Sequence, residues 1–221
     1  MKPQRRLDKS SAISSYGLPH MNKLLLAAAL ALPHHLCAQT PAAPAAGHSA
    51  SDTSGEIPGL KKELFAGITA ADFLKLSDKP KTAKIILVAV FNSANYGMNF
   101  NGFSHGKAIY TIPTGWTVEV TFINPSPIPH SAIVVEKDTT RKLQLGEPYF
   151  KGGGVTKPEV GIAFNKADFS FVADEAGEYA LACGFPAHAI NGHWLAFNVS
   201  DSATVPTLQL GADAPAKEAV K

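Results

Sequence analysis

The sequence has very little cysteine: Cys37 and Cys183 are the two cysteines among 221 residues. A disulfide needs a pair, so a form of the protein that has lost residues 1–38 cannot make an internal one. In an oxidising compartment, a lone thiol is exposed to oxidation unless something occupies it. The scarcity of cysteine therefore argues against a disulfide-stapled fold and makes the ligand of Cys183 the first functional question.

A hydrophobic run long enough to cross a bilayer, about 20 residues, is also missing. The run from Leu24 to Leu32 has nine apolar residues, with Lys23 before it and a polar stretch ending at Ala38 after it. This pattern is typical of a secretory signal. We predict that residues 1–38 are a signal peptide cleaved after Ala38. The protein is then periplasmic or otherwise exported, and peripheral to a membrane at most.

Two other interpretations of this leader are weaker. A twin-arginine signal is disfavoured because the arginine pair at positions 5–6 lies far upstream of the apolar run, and Met21 is the expected true start. A lipid anchor on Cys37 is disfavoured because the HHL triplet before it lacks the small residues expected at such a site. We therefore expect an exported protein without a lipid.

A strong excess of charge of one sign is absent as well. The chain has 20 basic and 18 acidic residues, and residues 1–38 hold five of the basic and one of the acidic ones, which leaves a net charge of −2. Nucleic-acid-binding domains usually carry a basic surface, so we expect no nucleic acid as a partner. A Gly-x-Ser-x-Gly elbow is missing, and the KGGG run lacks the strand-to-helix context of a phosphate-binding loop, which argues against hydrolase and nucleotide chemistry.

What is present favours β-structure. Proline and glycine are frequent, at 16 and 18 residues, while long amphipathic helical runs are scarce. The stretch TAKIILVAVF suits a buried strand, and WTVEVTFIN alternates apolar and polar residues as a half-buried strand does. With five further short runs, seven strands within about 120 residues, separated by Pro and Gly turns, predict an all-β antiparallel β-sandwich.

The chain divides into five predicted segments. After the signal peptide, residues 39–58 are an Ala-, Pro- and Ser-rich flexible tether. Residues 59–80 form a short helical segment with Thr69 as a cap and Asp72 three positions later. The main domain is 81–201, and 202–221 is an Ala-rich tail that we expect to fray. The stretch 137–166 is a glycine-rich surface excursion that either shapes a partner site or is an insertion, and the insertion is favoured.

One short stretch concentrates metal-binding chemistry. CGFPAHAINGHW places Cys183, His188 and His193 five residues apart in a loop between two predicted strands, and His130 opens an earlier strand after a proline-rich loop. Thiolate with imidazole is a ligand set for zinc or copper, whereas magnesium and calcium prefer oxygen. A type 1 copper centre needs two imidazoles, one thiolate and a weak axial group. We expect the histidine and the loop to meet at one end of the sandwich.

The stretches FNSANYGMNFNG, IYTIPTGWTVEVTFINPSPIPHSAIVV and CGFPAHAINGHW together resemble the sulfocyanin family of blue copper proteins, within the cupredoxin superfamily. The resemblance covers roughly residues 70–200. It implies a Greek-key, cupredoxin-like β-sandwich that holds one copper ion of type 1 or an axially perturbed type 1. His130, Cys183 and His188 match the three equatorial ligands of the family.

The chain departs from that family at the axial position, where the pattern Gly-Met-Trp is replaced by Gly192, His193 and Trp194. Imidazole is a stronger donor than a thioether and favours Cu(II). If His193 binds, we expect a lower reduction potential and a green or red site instead of an intensely blue one. Two alternatives stay open: a structural zinc site built from one cysteine and three histidines, and an unliganded His193.

Several neighbouring residues have weaker assignments. Ser131, next to the first ligand, is either an outer-shell partner of the thiolate or a plain strand residue. His105, in the FSHGK turn, is expected to be an ordinary surface histidine. An apolar patch around His188 is the expected docking surface; its members are Pro127, Ile128, Pro129, Phe185, Pro186 and Ile190.

The favoured function is an exported electron carrier, not an enzyme, that cycles between Cu(I) and Cu(II). The family resemblance implies a transient respiratory partner such as a cytochrome or a terminal oxidase, and we expect a monomer. One alternative is a copper site that binds or reacts with nitric oxide, superoxide or peroxide, which needs an open coordination position. The other alternative is copper storage or delivery.

Overall fold

The structure of the protein is a computed structural model that describes residues 57–221. The predicted signal peptide, and the predicted tether up to residue 56, lie outside the described residues. The described residues belong to one compact unit, Ala50–Lys221. Its helices are 3₁₀ turns of three to five residues, and none of them is long and apolar enough to cross a bilayer.

Ten strands are found in the described part of the chain, and they form two sheets. One sheet has the order β1-β2-β4-β6 and the other the order β10-β9-β3-β8-β7-β5. The strands are β1 Leu74–Leu76, β2 Thr82–Val88, β3 Ala108–Pro113, β4 Trp116–Asn124, β5 Ile133–Glu136, β6 Asn165–Ala173, β7 Gly177–Ala182, β8 Trp194–Ser200, β9 Thr207–Leu210 and β10 Lys217–Glu218. All seven predicted strands are among them, and the all-β class is confirmed.

Within the predicted sandwich, two of the strand pairs are parallel. Strand β2 runs parallel to β4, and β3 runs parallel to β8. The chain moves from one sheet to the other between β2 and β3 and back again between β3 and β4, so β2 and β4 point the same way. From β4 to β7 each strand again lies in the sheet opposite to the one before it, with the crossover connections of a Greek key.

The core lies between the two sheets and follows the sequence pattern. In β4, Val118, Val120 and Phe122 are at most 1% exposed, while the residues between them are half-buried. Strand β2 is buried on most positions because it lies between β1 and β4. The facing sheet contributes large buried side chains such as Tyr110 and Phe197. This packed interior makes a rigid base for the loops at its ends.

The segment 59–80 is only partly helical. Lys62–Leu64 and Ala70–Asp72 are 3₁₀ turns, and the predicted cap at the second is present: the Asp72 carboxylate accepts from the Thr69 backbone N–H at 2.8 Å. The last part is a strand, β1, because Leu74–Leu76 alternates apolar and polar residues and pairs with β2. The helical prediction is therefore corrected at 74–76.

The predicted tail is also corrected, because 202–221 contributes to a sheet. Strand β9 pairs with β3, and its Leu208 is 6% exposed. Further on, the Leu76 backbone N–H donates to the Val220 carbonyl at 2.8 Å. The alternation of Leu208 and Leu210 with polar residues gives β9 one apolar face, and that face closes the core beside β3.

The excursion at 137–166 lies along the outer edge of β5. It starts with the 3₁₀ turn Lys137–Arg141, and further on the Val134 backbone N–H donates to the Gly153 carbonyl at 2.7 Å. The Tyr149 backbone N–H in turn donates to the Val134 carbonyl at 2.9 Å. An uncovered edge strand exposes unpaired backbone groups, so this segment completes the sheet. The expectation of a plain insertion is replaced by that role.

The role of β9 gives a stability prediction. Leu208→Ala removes a buried side chain from the packed strand and is expected to lower the free energy of unfolding by about 2–4 kcal/mol. Lys217→Ala, at an exposed position of β10, is the control and is expected to stay within about 0.5 kcal/mol of the native protein. Urea unfolding followed by circular dichroism measures both variants. Equal stability of the two would contradict a structural role for β9.

Candidate metal centre

The four predicted metal ligands lie at the ends of neighbouring strands. Cys183 directly follows β7, His193 directly precedes β8, and His130 lies three residues before β5. Because β5, β7 and β8 are neighbours in one sheet, these ends meet at the same edge. His188 lies in the loop between β7 and β8. The structure brings all four residues together, with one ligand atom from each lying within 4.8 Å of the others.

The donor atoms surround the thiol. The Cys183 Sγ atom is 3.4 Å from Nδ1 of His188 and 3.9 Å from Nδ1 of His130. The His130 ring centroid is 4.8 Å from that of His188 and 4.8 Å from that of His193. Cys183 and His193 are fully buried, His130 is 3% exposed, and His188 is half-buried. Of the four, His188 is therefore the residue nearest to solvent.

The loop between β7 and β8 is closed by its own backbone. The Cys183 N–H donates to the His193 carbonyl at 2.9 Å, and the His193 N–H donates to the His188 carbonyl at 3.1 Å. Ala187 has a φ of 66°, an uncommon value for a residue with a side chain, and its N–H donates to the Leu143 carbonyl at 2.7 Å. Leu143 belongs to the excursion at 137–166, so that segment also helps to fix the loop.

Ser131 contacts the thiol, as the outer-shell interpretation requires. Its backbone N–H donates to Cys183 Sγ at 3.4 Å, and its Oγ accepts from the Gly184 N–H at 2.8 Å. Gly184 has no room for a side chain, because a Cβ there would lie 2.7 Å from the Cβ of Pro158 in the excursion. The residue after the cysteine is thus held between Ser131 and the excursion.

Burial keeps the cluster uncharged in the absence of an ion. It raises the pKa of the Cys183 thiol to about 11, against the opposing effect of the Ser131 and Phe185 backbone N–H groups. Burial lowers the pKa of His130 to about 3, with a further contribution from His188, and it lowers the pKa of His188 as well. At neutral pH the thiol therefore keeps its proton and the imidazoles are neutral.

His193 is the most isolated of the four. Its two ring nitrogens and the Thr114 hydroxyl are the buried polar side-chain atoms of the described residues that have no hydrogen-bond partner. Burial lowers the pKa of His193 well below its usual value, and the nearby His130 and His188 lower it further. The Asn99 carbonyl acts weakly in the opposite direction on this pKa, without the geometry of a hydrogen bond to the ring.

The residues present fit one bound copper ion. Three imidazoles and a thiolate are donors that copper accepts, and a nitrogen of His193 that lacks a partner would gain one. The same set also suits a closed tetrahedral zinc site, so the donors alone do not choose the metal. The burial of His130, Cys183 and His193 would keep bulk water away from a bound ion.

Among the predicted docking residues, Phe185 contacts His188, and most of the others are exposed. The Phe185 ring centroid is 4.8 Å from that of His188, and Ile128 and Ile190 are 57% and 45% exposed. Pro127 and Pro186 are exposed, and Pro129 is half-buried. Leu143 is 69% exposed, and its carbonyl accepts a hydrogen bond from Ala187 in the loop between β7 and β8, here called the ligand loop. Its side chain adds to the exposed apolar residues of this region. Sequence reasoning missed Leu143 because its contact spans more than 40 residues, with no local pattern to mark it.

Comparison with known proteins identifies the relatives of the chain. The sulfocyanin (SoxE) domain family matches residues 69–148 and 157–209. A sulfocyanin from Sulfolobus acidocaldarius is 29% identical over 141 residues, which cover 59% of this chain and 69% of that protein. The unmatched residues 149–156 are the part of the excursion that pairs with β5.

Solved structures of similar proteins include a rusticyanin and an auracyanin. Rusticyanin from Thiobacillus ferrooxidans is 22% identical with a TM-score of 0.46, and the match covers 59% of this chain and 88% of that one. Auracyanin from Roseiflexus castenholzii is 21% identical with a TM-score of 0.38, covering 53% of this chain and 96% of that one. The fold assignment itself rests on the two sheets described above.

The raised pKa of Cys183 predicts proton release on metal loading. Because that pKa is about 11, the thiol is protonated at pH 7, and the thiolate is the form that binds metal. Loading is expected to release about one proton per ion, and affinity is expected to fall as the pH falls. Isothermal titration calorimetry in two buffers of different ionisation enthalpy measures the release. Loading without proton release would show that the thiol is already ionised.

Proposed function

The chain belongs to the sulfocyanin family, and we propose that it is an exported carrier of single electrons, with a copper ion held by the four donors described above and His193 in the axial place. The burial of His193 carries this proposal. A fully buried imidazole with no hydrogen-bond partner is costly, and a bound ion supplies the missing interaction. A residue that only filled space would cost less as an apolar side chain.

When bound, copper supplies a one-electron couple between Cu(I) and Cu(II). The protein keeps its donors in place: the ligand loop is closed by backbone bonds between Cys183, His188 and His193. The Ser131 N–H donates to the sulfur, and hydrogen bonds of this kind tune the electronic properties of the thiolate. Donors that are held by strands and loop bonds need little rearrangement when the charge of the ion changes.

The axial imidazole sets the expected chemistry apart from that of a site with a methionine. Imidazole is a stronger donor than a thioether, and it favours Cu(II). We expect a lower reduction potential than in a family member with the Gly-Met-Trp pattern, together with weaker blue absorption. Four protein donors leave no obvious open position, which argues against reaction with nitric oxide, superoxide or peroxide.

Electrons are proposed to enter and leave through His188. It is the most exposed of the four donors, its ring contacts that of Phe185, and Ile128 and Ile190 are exposed apolar residues of the neighbouring loops. Transient redox complexes use small interfaces, below about 1,200 Å² in total, and an apolar surface of this kind suits them. A respiratory partner such as a cytochrome or a terminal oxidase fits this role, in line with the family resemblance.

Export is supported by the leader and by the lone cysteine. Residues 1–38 have the pattern of a secretory signal, and the described part of the chain has Cys183 as a free cysteine. A buried thiol that binds a metal is protected from the oxidation that an exported protein meets. Export to an oxidising compartment is therefore compatible with the lone thiol, because the bound metal would protect it.

The proposal predicts the spectra of the native protein and of His193→Met. The protein is produced from the full-length chain, loaded with copper, and its metal content is measured by mass spectrometry. We expect one copper per chain, a green or red native protein, and an intensely blue variant with a higher reduction potential, because the thioether replaces a stronger donor. Visible and electron paramagnetic resonance spectra, with voltammetry, measure these properties.

Three possible results would favour one of the alternatives instead. Equal blue colour in both proteins would show that His193 does not bind. A preparation that excludes copper and copurifies with zinc would contradict the electron-carrier proposal. A change of the native visible spectrum on adding azide or nitric oxide would show an open position and favour the small-molecule alternative.

A further inference from the structure

The stretch FNSANYGMNFNG, residues 91–102, supplies none of the four donors, yet it lies against the fourth one. Phe100 is fully buried, and its ring centroid is 4.2 Å from that of His193 with an interplanar angle of 43°. This is the shortest ring separation among the described residues, and it joins positions 93 residues apart in sequence. The segment is therefore a candidate for the part of the protein that orients His193.

Phe100 itself is held by its two neighbours. The Asn101 side chain accepts from the Val88 N–H at 2.8 Å and donates to the Ile86 carbonyl at 2.8 Å, which ties it to β2. The Asn99 side chain donates to the carbonyls of Asn92 and Ala94 at 2.9 and 2.7 Å. Both amides are buried, so their bonds are costly to break. The backbone of Phe100, between these two residues, is therefore firmly held.

The backbone on each side of His193 is hydrogen-bonded to the 91–102 segment and to the turn that follows it. The Asn95 side chain donates to the Asn191 carbonyl at 2.9 Å, and the His105 and Gly106 N–H groups donate to the Gly192 and Trp194 carbonyls at 2.8 and 3.0 Å. Gly192 has a φ of 89°, and a Cβ there would overlap the His105 ring. His105 is exposed, as expected, but it also covers the ligand loop.

These bonds hold the backbone on each side of His193 and make no contact with its ring. A metal-ligating histidine usually donates its second ring N–H to a carbonyl or a carboxylate, and that bond sets the orientation of the ring. His193 makes no such bond, since neither ring nitrogen has a hydrogen-bond partner. Packing must therefore do what a hydrogen bond does elsewhere, and the closest packed ring outside the donor set is that of Phe100.

We propose that Phe100 is the positioning residue of the fourth copper ligand: its ring, fixed by Asn99 and Asn101, holds the His193 imidazole toward the other three donors. The inference rests on the proposed function, because it requires that His193 binds the ion. It assigns to the 91–102 segment the role of an outer support for the axial ligand. Without the Phe100 ring, the imidazole has space to turn away and opens one coordination position.

Phe100→Leu tests this inference in the copper-loaded, full-length protein. Removing the ring is expected to shift the visible bands and the copper hyperfine splitting toward those of a weaker axial ligand. It is also expected to make the spectrum sensitive to azide, whereas the native spectrum is expected to be insensitive to it. Phe100→Met, which also lacks the ring but has a flexible side chain that can fill an irregular gap, is made in parallel in case the leucine variant does not fold.

Phe197→Leu is the matched control. Phe197 is equally buried, in β8, and its ring contact is with Phe171 at 5.7 Å, outside the donor cluster. The control is expected to lose similar stability, measured by thermal unfolding, while its spectrum and azide response stay native. A spectral change in the Phe100 variants alone supports the inference, because general loosening of the core would change the control as well.

The other outcomes are distinguishable. If His193→Met changes the spectrum while the Phe100 variants remain native, the positioning role is overturned and the fourth ligand stands. If neither His193→Met nor the Phe100 variants change the spectrum, the fourth ligand falls and this inference falls with it. Equal changes in the Phe100 variants and Phe197→Leu would assign the effect to the core in general and overturn a specific role for Phe100.

Discussion

The whole site depends on one buried imidazole that finds no partner among the atoms of the protein. His193 is fully buried, and both of its ring nitrogens lack a hydrogen bond. Leaving a polar group in that state costs about 1–3 kcal/mol, which is a sizeable part of the stability of a small domain. A metal ion shared with His130, Cys183 and His188 would remove that cost. The same residue that departs from the family pattern thus has the clearest need for a ligand.

The sandwich meets this need by gathering strand ends at one edge of one sheet. Strands β5, β7 and β8 lie side by side there, so short loops are enough to bring four donors together. Two less regular parts of the chain then fix the donors from outside. The excursion bonds to the ligand loop through Leu143, and the 91–102 segment packs on His193 through Phe100. Burial of the donors raises the pKa of the Cys183 thiol and lowers the pKa of His193.

Much of this was predictable from local pattern, and the remainder depended on long-range contacts. Strands such as β2 and β4 follow from alternation and apolar runs. Three of the four candidate donors stand in CGFPAHAINGHW, where the chemistry of thiolate and imidazole marks them. Strand β9 was missed because a four-residue run in an Ala-rich tail gains its stability from pairing with β3. The parallel pairs and the contact of Phe100 with His193 have no local signal, because each joins segments that are distant in sequence.

The most direct test of the central claim is X-ray absorption spectroscopy at the copper edge of the copper-loaded, full-length protein, in both oxidation states. The account predicts one sulfur and three imidazole nitrogens around the copper in both states, since His193 lies within the donor cluster. A first shell with one sulfur and only two imidazoles would contradict it, because the buried nitrogens of His193 would then remain without a partner.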